Sequence, residues 1–177
     1  MSEQNKVLKS LTKDLFSSEE KTVLSALGKL KTKGDLTVVE PMLNVYLDSE
    51  GKIREEIHSM LGELKISKAE TPILDLALDE KFKAIRADML YFVWNSGFQP
   101  NDRLNDIVTI GLNGDYMTAV ESLTVLDTLE GPFEEPDLME AQLTVKEFMV
   151  THKEDDRMDL ASSIFKKLKE LDARIAD

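Results

Sequence analysis

Apolar residues recur along this chain at the spacing of helix faces rather than of strands. Three ten-residue blocks show it best. Residues 41–50 read PMLNVYLDSE, residues 72–81 read PILDLALDEK, and residues 106–115 read DIVTIGLNGD. In each, positions two, three, five and seven are apolar. Position seven is leucine (Leu47, Leu78, Leu112), and position eight is a short acid or amide (Asp48, Asp79, Asn113). The blocks start 31 and then 34 residues apart. Leu43, Tyr46 and Leu47, like Leu74, Ala77 and Leu78, fall at i, i+3 and i+4, which is one face of a helix. The Asp or Asn beyond suits a turn or a cap through its side-chain acceptor. A second helical pattern follows each block, clearest in the stripe Ile53, Ile57, Met60, Leu61 and Leu64.

The pattern predicts a helix over 4–16, then pairs near 18–32 with 36–48, 52–65 with 69–78, 82–96 with 102–112, and 115–129 with 136–151. A closing helix is predicted near 156–174. Ser17-Ser18-Glu19-Glu20 and Ser67-Lys68-Ala69-Glu70 have the form of capping boxes. Asp35 and Asn101 are candidate N-caps. Pro72 suits a first turn, and Pro41 is expected to kink its helix or shift its start. The loop Glu130–Pro136 is the strongest break.

Composition supports helix. The chain has 177 residues, 8 Gly and 6% aromatics, too few turn and aromatic residues for a β-sandwich of this size. It has no cysteine, so disulfides, thiolate metal sites and cysteine nucleophiles are excluded. The first residues do not read as a signal peptide, and no apolar run approaches the roughly 20 residues that cross a bilayer. These features fit a cytoplasmic protein. Net charge is −12, which argues against nucleic acid as a partner. The charge is uneven. Residues 1–33 hold seven Lys against four acids, and residues 127–159 hold eleven acids against three basic residues. The acidic segment serves solubility or meets a basic partner.

A helical pair every 31–34 residues, with Asp48 followed by Arg54 and Asp79 by Arg86, resembles a HEAT-repeat protein. The resemblance implies an all-α, short right-handed α-solenoid of HEAT-like pairs in a single domain over 1–177. Residues 1–17 would form an N-terminal cap, 18–129 the well-matched pairs, and 130–177 a less regular acidic part ending in a C-terminal cap. It implies that Asp48, Arg54, Asp79 and Arg86 tie neighbouring repeats together. The third repeat departs from the pattern, with Asn113 and then Thr118 or Ala119. Such families mostly bind proteins or peptides, so a non-catalytic interaction or scaffold module is the expected function.

The chemistry-bearing residues fit that expectation. There is no Gly-rich phosphate loop, G-x-S-x-G or H-E-x-x-H. No cofactor is implied. His152 with Glu154 and Asp156 has the residue types for a hard cation, but a solvated helix connection is the favoured reading. The expected partner surface is an acidic strip on the second helices, from Glu40, Asn44 and Asp48 with Asp75 and Asp79. Tyr91-Phe92-Val93-Trp94 goes around its helix, so either the helix packs on both sides or Tyr91 or Trp94 protrudes as an anchor. A protein with a basic surface is the expected partner, with no membrane involved. The alternatives are an acidic inhibitor of a basic protein and an enzyme on a helical-repeat scaffold.

Overall fold

Every segment with helical periodicity is helical, and no strand occurs among the described residues. The structure is a computed structural model describing residues 3–175. Its helices are α1 (Glu3–Asp14), α2 (Glu20–Lys33), α3 (Val39–Asp48), α4 (Gly51–Gly62), α5 (Glu70–Ala77), α6 (Arg86–Asn95), α7 (Leu104–Leu112), α8 (Tyr116–Thr128), α9 (Glu135–Thr151) and α10 (Met158–Ala173). Short 3₁₀ turns at Leu36–Val38 and Glu80–Ile85 lead into α3 and α6. Pro41 falls within the first turn of α3 and Pro72 within that of α5, where a missing amide hydrogen costs nothing. Asp35 accepts from the Thr37 amide and caps the 3₁₀ turn before α3. The Ser17 hydroxyl accepts from the Glu19 amide, one residue short of the expected capping box. Asn101 is not a cap: α7 starts at Leu104, after Arg103.

The chain divides into two compact units, Met1–Ile73 and Leu74–Asp177, with the division inside α5. In the first unit, α1 packs on α2, α2 on α4, and α3 on α4. Val23, Ala26, Leu27 and Leu30 of α2, and Ile57 and Leu61 of α4, are buried there. In the second unit, α6, α8 and α10 pack in succession. Alongside them α7 packs on α9, α7 on α8, and α9 on α10.

The pairing differs from the sequence expectation by one helix. The periodicity paired 18–32 with 36–48 and 82–96 with 102–112. The close neighbours in chain order are instead α1 with α2, α3 with α4, α7 with α8, and α9 with α10. For α3 with α4 and α7 with α8 the cause is connection length. Ser49–Glu50 and Asn113–Asp115 are the shortest links, and a short link forces an antiparallel hairpin. The turn after Asp48 or Asn113 therefore lies inside a packed pair.

Arginine side chains organise these turns. Arg54 donates to the Tyr46 carbonyl at 2.8 Å, with its guanidinium carbon 4.0 Å from the Tyr46 ring centroid. Arg86, only 2% exposed, donates to the Ala77 carbonyl at 2.7 Å, the Leu78 carbonyl at 3.4 Å and the Asn113 carbonyl at 3.2 Å. Arg157 donates to the carbonyls of Leu112 at 2.6 Å and Gly114 at 2.5 Å. These acceptors lie at helix C-terminal ends, where carbonyls lack partners within the helix and the dipole favours a cation. The α7–α8 turn has no arginine of its own, and Arg86 and Arg157 both serve it.

Gly111 lets α7 and α8 approach. Buried Ser122 donates to the Ile107 carbonyl at 2.9 Å, and a Cβ on Gly111 would meet the Ser122 hydroxyl at 2.6 Å. Gly28 is on exposed α2 surface with nothing within 4 Å of an added Cβ. Gly111→Ala is expected to cost about 1–3 kcal/mol through overpacking. Gly28→Ala is expected to gain up to about 1 kcal/mol from helix propensity. Urea denaturation of both variants checks the pair.

Asp155 is held by Arg157, whose Nε and Nη2 donate to it at 2.7 and 2.6 Å and whose amide donates at 2.9 Å. These side-chain bonds, then the amide, hold its carboxyl far below the usual Asp range. Hydrogen bonds from the Thr118 side chain and amide likewise lower Asp115. Because folding lowers both values, the unfolded chain binds more protons, and this stabilisation is complete only above the ordinary carboxylate range. It is lost as pH falls below about 4. Thermal melts between about pH 5 and pH 2 are expected to show a shallower fall for Asp155→Asn than for the unaltered chain.

Candidate protein-binding face on helices α6 and α8

Helix α6 is apolar nearly all round, and its burial resolves the two readings of residues 91–94. Met89, Leu90, Phe92 and Val93 are fully buried. Tyr91 and Trp94 are half-buried and share the remaining side. Their rings are perpendicular, with centroids 5.2 Å apart. The indole Nε1 donates to Glu121 of α8 at 2.6 Å. A carboxylate acceptor makes this bond stronger than a neutral one. Both aromatics are thus held in orientation, while each remains partly exposed.

Local backbone secures this arrangement. Gly97, at φ 79°, follows the end of α6 in a left-handed conformation that suits glycine. Its amide bonds the Trp94 carbonyl at 3.0 Å, and the Phe98 amide bonds the Val93 carbonyl at 3.2 Å. This is the Schellman arrangement, and it ends the helix immediately past the tryptophan. Beyond it, Gln99 donates to the Thr128 carbonyl at 3.0 Å and accepts from the Glu130 amide at 2.8 Å. The end of α6 is therefore fastened to the end of α8.

On α8, the buried residues are Thr118, Ala119, Ser122, Val125 and Leu126. The other side carries Met117, Val120, Glu121 and Thr124. Met117 is 53% exposed. The Trp94–Glu121 bond joins the two helices, and partly exposed Tyr91 and Asp88 on α6 and Val120 and Met117 on α8 lie on the same helices.

Of the acidic strip expected on second helices, Glu40 and Asn44 are on α3 and Asp75 is on α5. Glu40 is exposed, and its carbonyl accepts from the Asn44 amide group at 2.9 Å. Asp75 is paired with Arg103 at 2.6 Å. Asp48 is the exposed last residue of α3. Asp79 accepts from the Lys81 amide and starts the 3₁₀ turn before α6. The acid beside Arg86 is Glu80, at 2.8 Å.

Asp155 and Arg157 form the bidentate pair described above. His152 stacks on Phe148, ring centroids 4.5 Å apart, and no group of three His, Cys, Asp or Glu among the described residues could hold a metal ion. No helix among them is long and apolar enough to cross a membrane.

Sequence reading missed Glu121, Met117 and Gln99. Glu121 carried a usable signal: an acid on the helix one repeat after the tryptophan. Comparison with family models, with curated proteins and with solved structures finds no match to this chain.

Proposed function

We propose that this chain is a non-catalytic protein-binding module of HEAT-repeat type, and that the α6–α8 face receives its partner. The carrying observation is Trp94, the chain's one tryptophan, oriented by Tyr91 and Glu121 yet left partly open. A rigid aromatic of this kind loses little entropy on binding and is the residue type that dominates interface energy. The solenoid reading draws support from the second unit, where alternate helices stack in two rows. It draws further support from Arg86 and Arg157 joining successive turns. Asp88, Glu121 and the net charge of −12 favour a partner that offers an apolar side chain flanked by Lys or Arg.

The test is selection from a peptide library followed by titration, with Trp94 emission as the readout. Selected peptides are expected to shift that emission. Tyr91→Ala, and Trp94→Ala measured by calorimetry, are expected to weaken them at least tenfold with helical content unchanged. Peptides that bind both variants as tightly as the unaltered chain would place the partner surface elsewhere and sink the proposal.

A further inference from the structure

The α7–α8 turn carries the chain's one Asn-Gly pair, Asn113-Gly114. This dipeptide is chemically labile, because glycine has no side chain to shield its own amide nitrogen. That nitrogen can attack the carboxamide carbon of the asparagine before it. A C–N bond forms, the carboxamide C–N bond breaks, and ammonia leaves with the displaced amide proton. Water then opens the cyclic imide at either carbonyl, leaving an aspartyl or an isoaspartyl link.

The folded turn opposes ring closure. The imide is a flat five-membered ring, so the Asn113 Cβ must eclipse the Gly114 nitrogen. Substituents on Cα stand about 120° apart in projection, which sets the required ψ at roughly −120°. Asn113 instead has φ −93° and ψ −1°. The Gly114 amide is also turned to the Gly111 carbonyl, at 3.3 Å. Rotation about ψ would break that bond. It would also displace the carbonyls of Asn113 and Gly114, which accept from Arg86 at 3.2 Å and from Arg157 at 2.5 Å. Asn113 itself is exposed, so solvent has access to the site of reaction.

We propose that Asn113 is a modification site gated by this turn. It is protected while Arg86 and Arg157 hold the turn, and it deamidates when the turn opens locally, at a rate set by the open population. The isoaspartyl product adds one carbon to the backbone path inside the turn. The original hydrogen bonds cannot then all re-form, so the modification is a one-way record of opening.

Mass spectrometry of proteolytic peptides, after incubation at mildly alkaline pH, tests this. The unaltered chain is followed folded and unfolded in guanidinium chloride. Asn113 is expected to deamidate at least about tenfold more slowly in the folded chain. Arg157→Met and the gentler Arg157→Lys, each checked for helix by circular dichroism, are expected to fall between the two. Asn113→Gln is expected to remove the reaction even when unfolded, because the larger ring closes far more slowly. The purified isoaspartyl chain is expected to unfold at a lower denaturant concentration. Equal rates in the folded and unfolded chain would overturn the proposal. So would folded Arg157 variants that react no faster than the unaltered chain, or an isoaspartyl chain as stable as the unmodified one.

Discussion

The helical stack in the second unit depends on how the carbonyls at helix ends are satisfied where the chain turns sharply. A link of two or three residues leaves the last carbonyls of the first helix without donors inside it. Burying them unpaired costs about 1–3 kcal/mol each. Arginine meets the need because its fork carries several donors on one side chain and its charge suits the negative end of a helix dipole. Arg86 spans the ends of α5 and α7 in this way, bonding Ala77, Leu78 and Asn113. Arg157 reaches the same α7–α8 turn at Leu112 and Gly114. One turn therefore receives donors from two arginines that flank it.

The position of the candidate binding face follows from this constraint. With the turns fixed, α6 and α8 lie side by side, and Gly111 against Ser122 sets the approach of α7 to α8. Helix α6 then buries four large residues and has two aromatics left over. Glu121 takes up the indole hydrogen of Trp94, so the aromatic pair is anchored without being enclosed. The open side is a remainder of packing geometry, and the sequence spends its only tryptophan there.

Helix positions were legible in the chain because an apolar stripe at helical spacing is a local signal. Leu27, Leu61 and Leu126 themselves are buried, in helices whose boundaries shift by one to three residues. The Asp-then-Arg spacing drew attention to Arg54 and Arg86, but their acceptors were not legible. A carbonyl has no letter of its own, so the pattern suggested an acid, whereas Arg54 bonds the Tyr46 carbonyl and Arg86 bonds three carbonyls with Glu80. Which neighbours pair was also hidden, because the stripes of α6 and α7 do not say which link is tight. Tyr91 and Trp94 stood out by residue type, while Glu121 and Gln99 become visible only once α8 lies against α6. The exposure of Met139, Leu143 and Val150 was not legible either, since apolar spacing does not report whether a neighbour exists.

The most direct test of the account is a double-mutant cycle between Arg86→Met and Arg157→Met, read by Trp94 emission during urea denaturation. Because both arginines serve one turn, their losses are expected to be non-additive by at least about 1 kcal/mol. Losses that add to within about 0.3–0.5 kcal/mol would mean the two act independently, and the shared turn would not be what holds the stack.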